Sequence, residues 1–119
     1  MQVLEKDIEN KACRKIKQLF DVEIRKMNGG GNRAWPDRLF LFNNGAHLFI
    51  EFKRPGEKVR PNQEYAINRL RSMGHEVEVC ETVEAAIEAA RVQATPVSKK
   101  RNKVSSSKTC GRLRPRQLE

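Results

Sequence analysis

Two carboxylates and a lysine stand at spacings that a β-hairpin would bring together. Asp37 follows Pro36 on one predicted strand, and Glu51, Phe52 and Lys53 lie together on the next. Because side chains alternate along a strand, Glu51 and Lys53 share one face while Phe52 points to the other. Two hard oxygen ligands beside an ammonium suit a divalent cation and a phosphate. These residue types therefore predict metal-assisted phosphodiester chemistry, provided that the hairpin sets Asp37 beside Glu51.

The same residues have a plainer interpretation. An aspartate after proline often caps a turn, and a Glu-x-Lys pattern on a half-exposed strand is most often a surface ion pair. The surroundings of Glu51 and Lys53 argue against a surface ion pair. Both residues lie in the apolar segment LFIEFK, where charges are unfavourable unless something compensates them. Gln63, on a later predicted helix, is a candidate for part of that compensation.

Hydrophobic periodicity predicts an α/β protein with a small mixed β-sheet flanked by helices, in the order α-β-β-β-α-β-α. Helices are predicted at 3–20, 61–73 and 83–91, and strands at 22–27, 37–42, 46–53 and 76–80. The Asn43-Asn44-Gly45 segment is a strong hairpin signal between the second and third strands. Pro61 suits the first turn of the middle helix and Thr82 suits the N-cap of the last one.

Two of these elements have a predicted buried face. In the third strand, Leu48, Ile50 and Phe52 point into the core. In the middle helix, the predicted apolar stripe consists of Ala66, Ile67, Leu70 and Met73. Gln63 precedes Ile67 by four residues, so it should lie close to the buried side of that helix.

The net charge of +9 is concentrated at the C-terminal end. Residues 94–119 hold eight Lys or Arg and one acidic residue, so they contribute +7, and residues 1–93 contribute only +2. We predict a folded domain over 1–93 and a basic, disordered tail over 94–119. Such a tail favours polyanions through counterion release; the alternative is a solubilising extension with no particular partner.

Other classes of protein are disfavoured by the composition. No apolar run approaches the ~20 residues of a membrane span, and the charged N-terminal residues do not resemble a signal peptide, so we expect a soluble, intracellular protein. The three cysteines, Cys13, Cys80 and Cys110, are scattered. That number and spacing disfavour a disulfide framework or a zinc site, and Cys13 and Cys80 are better interpreted as small buried hydrophobes.

Six motifs follow one another along residues 4–90. They are Glu5-Lys6-Asp7-Ile8, Gly29-Gly30-Gly31, Pro36-Asp37, Glu51-Phe52-Lys53, Gln63 and Leu70-Arg71-Ser72-Met73-Gly74. Their order resembles that of the VRR-NUC (virus-type replication-repair nuclease) domain, a branch of the PD-(D/E)xK nuclease superfamily. The resemblance implies a restriction-endonuclease-like core. One departure is Ala34, which stands where the family commonly has glycine.

The resemblance also implies a metal site. Asp37, Glu51 and the backbone carbonyl of Phe52 would bind Mg²⁺, with Mn²⁺ able to substitute, and Lys53 would be the catalytic lysine. Glu5 matches the helix glutamate that completes such a site.

Four residues at or near this site have more than one interpretation. Glu9 lies one helical turn after Glu5 and shares its face, so it is a rival for the same role; a solvated charge is the other interpretation of both. Gln63 would organise the site or contact substrate, and its alternative is a hydrogen bond at the start of a helix. His47 shares the face of Glu51, but a lone histidine is more often structural than a ligand.

Basic residues near the site and in the tail are candidates for contacts with DNA phosphates. They are Lys26, Arg33, Arg54, Lys58, Arg60, Lys99, Lys100 and Arg101. Solvated surface charge is the alternative for Lys26 and Arg33.

Taken with the resemblance, these residues predict a metal-dependent DNA endonuclease. The family's minimal members imply a homodimer that cuts branched DNA such as four-way junctions, in a bacterial or phage-infected cytoplasm. A flap or nicking nuclease is the alternative, and a DNA-binding module of the same fold that does not cut is another. The alternative of an RNA-binding protein is supported by the basic tail alone. RNA recognition usually needs exposed aromatic side chains for stacking, and the seven aromatic residues fall mainly in core-like positions.

Overall fold

The computed structural model describes residues 4–27 and 34–95. Its elements are α1 (Glu5–Leu19), β1 (Val22–Lys26), β2 (Arg38–Phe42), β3 (His47–Phe52), α2 (Pro61–Ser72), β4 (Val77–Cys80) and α3 (Val83–Ala94). The predicted α/β class and element order are confirmed, and each boundary lies within three residues of its predicted place. Thr82 caps α3 as expected, since its side-chain oxygen accepts the N–H of Ala85 at 3.0 Å.

The four strands form one sheet in the order β1-β2-β3-β4. The first two pairs are antiparallel and β3–β4 is parallel. The β2–β3 connection is the predicted hairpin, in which Gly45 adopts a φ of +90° and the Asn44 side chain accepts the N–H of Ala46. A parallel pair needs a crossover, and α2 lies in that connection.

Helices cover both faces of the sheet. Helices α1 and α3 pack on one face, where the buried residues are Ile8, Ala12, Ile16, Val22, Phe40, Phe42, Leu48, Ile50, Phe52, Cys80, Ala86 and Ala90. Helix α2 covers part of the other face with a smaller cluster of Phe49, Ile67, Leu70 and Val77. Strand β3 is therefore buried on both sides, and the interpretation of Glu51 and Lys53 as a surface ion pair is wrong.

Three residues that were predicted to be buried differ in their burial. Met73 is 50% exposed, so its predicted place in the apolar stripe of α2 is wrong. The reason is that α2 ends at Ser72 and Met73 leaves the helical conformation, with φ −93° and ψ 7°. The cysteine prediction is confirmed for Cys80, whose burial raises the pKa of its thiol to about 12, while Cys13 is only half-buried.

The C-terminal end of the described chain also differs slightly from expectation. Helix α3 continues to Ala94, three residues beyond the predicted end, because alanine favours helix and Ala94 packs against the core. The tail from 96 onward lies outside the described residues, so its predicted disorder stays a prediction. Within 4–27 and 34–95, no helix has the length and apolar character needed to cross a membrane.

Candidate active site

The register of the β2–β3 hairpin places Asp37 beside Glu51. Arg38 pairs with Ile50, so continuing the ladder by one residue sets Asp37 opposite Glu51. Asp37 also continues the β1–β2 ladder, since its carbonyl accepts the N–H of Met27 at 2.9 Å. The Asp37 carboxylate also accepts the N–H of Phe52 at 2.8 Å, which ties the start of β2 to the end of β3.

Glu5, in the first turn of α1, completes a cluster of three carboxylates. One ligand oxygen from each of Glu5, Asp37 and Glu51 lies within 4.8 Å of the others. Asp37 and Glu51 are buried, at 5% and 1% exposure, whereas Glu5 is half-buried. The hairpin thus supplies the inner pair, and the N-terminal end of α1 closes the cluster from the side.

Glu9, the rival of Glu5, makes a different contact. Its carboxylate accepts a hydrogen bond from Arg38 Nε at 2.6 Å, and both side chains are largely buried. Glu9 is therefore neither a solvated helix charge nor a member of the carboxylate cluster described above. Arg38 shares a face of β2 with Phe40 and Phe42, because alternate side chains on a strand point the same way, and α1 packs on that face.

Lys53 and Gln63 both contact Glu51. The Lys53 ammonium lies 3.4 Å from Glu51 Oε2 and is almost fully buried. The same oxygen accepts a hydrogen bond from Gln63 Nε2 at 2.9 Å. Gln63 Oε1 in turn accepts the N–H of Arg60 at 3.0 Å, at the start of α2. Both sequence interpretations of Gln63 thus describe real contacts, since one amide caps the helix and holds a carboxylate.

The cluster makes its own ionisation unfavourable. Burial, together with the neighbouring Asp37, raises the pKa of Glu51 to about 7, and the Lys53 ammonium offsets only part of that effect. Burial also raises the pKa of Asp37, although the hydrogen bond from the Phe52 N–H opposes the change. The pKa of Glu5 is raised by burial and by Glu57. A cation would reverse this balance, because it favours the charged forms of all three groups.

The donor set fits a hard divalent cation. All three side chains offer oxygen, which Mg²⁺ and Mn²⁺ prefer, and neither cysteine nor histidine takes part. The cluster opens into a cavity of about 370 Å³ lined by Glu5, Asp37, Glu51, Lys53, Glu57, Arg60 and Gln63. Such a cavity leaves room for water and phosphate beside the carboxylates.

Glu57 is the member of this cavity that the sequence did not reveal. It sits in the turn after β3, where Gly56 adopts a φ of +86° and lets the chain fold back. The Arg54 N–H donates to the Glu57 carboxylate at 3.1 Å and lowers the pKa of that group. Pro55 and Gly56 are residue types that end a strand, but they do not show where the chain goes next.

The predicted DNA-contacting residues separate into different places. Arg60 lines the carboxylate cavity. Arg54 pairs with Glu57, its Nε lying 3.6 Å from the carboxylate. Lys58 borders a different cavity beside α2, and Lys26 is exposed at the end of β1. The remaining four, with the glycine-rich motif at 29–31, lie outside the described residues: Arg33, Lys99, Lys100 and Arg101.

His47 pairs with a second histidine. Its Nε2 lies 2.8 Å from Nδ1 of His75, in the loop before β4, and both rings pack edge-on against Phe49. This contact joins β3 to the segment that leads into β4 and supports the structural interpretation of His47.

Comparison with known proteins agrees with this geometry. Residues 2–84 match the family model of the VRR-NUC domain. A solved structure described as a VRR-NUC domain has a TM-score of 0.64 at 23% identity, over 73% of this chain and 94% of that one, which shows a shared fold. "Putative nuclease p44" of Acyrthosiphon pisum secondary endosymbiont phage 1 is 40% identical in a 67-residue alignment that covers 50% of this chain and 72% of that protein. The resemblance inferred from the motifs is confirmed, and the chain belongs to the VRR-NUC domain family.

Proposed function

We propose that this chain is a Mg²⁺- or Mn²⁺-dependent endodeoxyribonuclease that hydrolyses phosphodiester bonds in DNA. The observation that carries the proposal is the cluster of Glu5, Asp37 and Glu51 within 4.8 Å, beside the buried ammonium of Lys53. A domain that only bound DNA would gain nothing from three clustered carboxylates, which repel a polyanion. Family membership and the nuclease-named phage relative support the same activity.

The chain's own residues have separable roles in this proposal. Asp37, Glu51 and Glu5 would hold the cation, with the Phe52 carbonyl as a proposed fourth ligand. The bound ion would supply positive charge that keeps these carboxylates ionised and polarises a phosphate oxygen. The Lys53 ammonium would donate a hydrogen bond to a phosphate oxygen that gains negative charge in the transition state, or to the attacking water.

Gln63 has a positioning role in the same scheme. Its Nε2–H group fixes the orientation of the Glu51 carboxylate, and its Oε1 is held by the start of α2. Arg60 lines the cavity and would bind a phosphate next to the one that is cut. Arg54, Lys58 and Lys26, and outside the described residues Arg33, Lys99, Lys100 and Arg101, are proposed to add phosphate contacts further from the site.

We further propose branched DNA as the substrate and a homodimer as the active form. A four-way junction is resolved by two cuts, and the carboxylate cluster described above serves one strand at a time. A two-fold dimer would supply two such clusters in matching geometry. The basic C-terminal tail, with a net charge of +7 over residues 94–119, would strengthen binding to any DNA arm.

A cleavage panel tests this function. Labelled four-way junction, flap and continuous duplex DNA are incubated with the full chain in Mg²⁺, in Mn²⁺ or in EDTA. We expect cutting only with a cation, and faster cutting of the junction than of the duplex. Lys53→Ala should reduce the rate at saturating DNA by at least about 100-fold, because it removes a charge from the transition state. Glu51→Gln should lose cleavage as well.

Matched controls separate chemistry from general charge effects. Lys15→Ala and Glu88→Gln remove exposed charges on the far parts of α1 and α3, and should leave the rate within about twofold of wild type. A wild-type chain that binds all three DNAs but leaves them intact in both metals would refute the nuclease. Equal cleavage rates on duplex and junction DNA would refute the proposal of a branched substrate and leave the nuclease activity supported.

A further inference from the structure

The exposed aromatic residues gather in one groove. Four of the seven aromatic side chains are buried phenylalanines and Phe20 is half-buried. The other two, Trp35 and Tyr65, are 37% and 73% exposed, although 30 residues separate them in the chain. Both line the same predominantly apolar cavity of about 480 Å³, together with Asn62, Arg69 and Met73. The five phenylalanines pack in or against the hydrophobic core, whereas packing in the core does not account for the exposure of Trp35 and Tyr65.

The groove lies against the carboxylate cluster. Trp35 precedes Asp37 by two residues, and its ring packs edge-on against Phe49 with the centroids 6.2 Å apart. Phe49 shares a face of β3 with Glu51, two residues or about 7 Å further along. On the other side, Asn62 lies next to Gln63, whose amide holds Glu51. Residues that line the groove are thus neighbours, in packing or in sequence, of residues that hold the carboxylate cluster.

The α2 side of the groove is one helical stripe. Asn62, Tyr65, Ala66 and Arg69 recur at helical spacings and so lie along one face of α2, and Met73 follows just past the end of the helix. From Asn62 to Arg69 the stripe extends about 10 Å along the helix axis, and Met73 continues the groove beyond the helix end. This length suits several linked groups of a chain-like ligand better than a single small molecule. Arg69 is the charged side chain that lines the groove among the described residues, so the electrostatics favour an anionic partner.

We propose that this groove is a stacking platform for unpaired nucleobases of the DNA that the site cuts. Trp35 and Tyr65 would stack on bases that are not held in a duplex, since every base presents a flat π-face, and Arg69 would contact the adjoining phosphate. The inference deepens the proposed function and rests on it. It gives the site a physical basis for selecting branched or flapped DNA, because a continuous duplex keeps its bases stacked inside.

Trp35 is the single tryptophan of the chain, so it reports directly on stacking. The full-length protein is titrated in EDTA with a short oligothymidylate, with a flap substrate and with continuous duplex. We expect the two ligands with unpaired bases to quench Trp35 fluorescence at concentrations where duplex causes little change. Tyr65→Ala should weaken oligothymidylate binding by about 5- to 150-fold, the range measured for losing one stacked base.

Control variants keep the test independent of folding. Tyr65 is mostly exposed, so its truncation should not unfold the protein, whereas Trp35→Ala removes a contact with Phe49 and is less clean. Tyr65→Phe keeps the ring and should keep affinity within about twofold of wild type. Leu19→Ala removes another exposed apolar side chain, 14 residues or about 21 Å along α1 from Glu5, and should change nothing.

The outcomes separate this inference from the proposed nuclease activity. Quenching by unpaired bases in a chain that cuts no DNA in Mg²⁺ or Mn²⁺ would support the platform and refute the nuclease. Cleavage without any quenching, or equal quenching by duplex, would refute the platform alone. If Tyr65→Ala leaves oligothymidylate affinity unchanged but turns a dimer into a monomer by light scattering, the groove binds a second copy and the platform is refuted.

Discussion

Removing the charge of Glu51 should stabilise the metal-free protein above neutral pH. Glu51 is 1% exposed, and burial beside Asp37 raises its pKa from 4.5 to about 7 in the folded chain. Between these two pH values the unfolded chain has released the proton that the folded chain still holds. The unfolded state then binds fewer protons, so the free energy of unfolding falls as the pH rises and levels off above pH 7.

The size of the effect follows from the two pKa values. At about 1.4 kcal/mol for each pH unit between them, the wild-type protein should lose about 3 kcal/mol by pH 8. Glu51→Gln has no proton to lose and its amide oxygen can still accept the hydrogen bond from Gln63. We therefore expect Glu51→Gln to be more stable than wild type by about 3 kcal/mol at pH 8 and by less than about 1 kcal/mol at pH 5.

Urea unfolding in EDTA, followed by Trp35 fluorescence, measures both free energies. Asp37 and Glu5 also have raised pKa values and are present in both proteins, so the difference between the two reports the Glu51 charge together with its repulsion of those two groups. Adding Mg²⁺ at pH 8 should stabilise wild type and not the variant, by linkage to binding. The reasoning is refuted if the two proteins are equally stable at pH 8 in EDTA, or if their difference does not change with pH.

Two further predictions concern α1 and α3. Glu9→Ala should destabilise the protein by about 2 kcal/mol in urea unfolding, because it leaves the largely buried Arg38 without its carboxylate, while Mg²⁺ affinity by calorimetry stays within about threefold of wild type. Glu5→Gln should instead weaken Mg²⁺ binding and leave the free energy of unfolding nearly unchanged. If Glu9→Ala weakens Mg²⁺ binding and Glu5→Gln does not, then Glu9 and not Glu5 is the metal ligand. Thr82→Ala should lower the free energy of unfolding by about 1 kcal/mol through loss of the α3 N-cap, which Thr82→Ser should largely restore.

The inner half of the site was predictable because it is local. Asp37 and Glu51 sit on adjacent strands joined by a short turn, and the Asn44-Gly45 signal fixes the register that sets them opposite each other. Gln63 was predictable for a related reason, since its spacing from Ile67 put it on the buried side of α2.

The remaining parts depend on packing that no short segment encodes. Glu5 and Glu9 share one face of α1, so the choice between them depends on where that helix crosses the sheet and on the position of Arg38, 29 residues after Glu9. Glu57 joins the cavity only because the chain folds back at Gly56. The groove of Trp35 and Tyr65 forms between a loop and a helix, and the sequence of neither segment indicates that the two pack together.

The two hydrogen bonds of Gln63 have a consequence for cooperativity between ligands. Its amide joins Glu51 to the backbone at the start of α2, and α2 carries Tyr65 two residues later. A cation bound by Glu51 would therefore also act, through this amide, on the helix that forms one wall of the aromatic groove. A coupling free energy between two sites is reciprocal, so DNA in the groove would change the affinity for the cation by the same factor as the cation changes the affinity for DNA. In the proposed scheme, one uncharged side chain would thus link the two binding events.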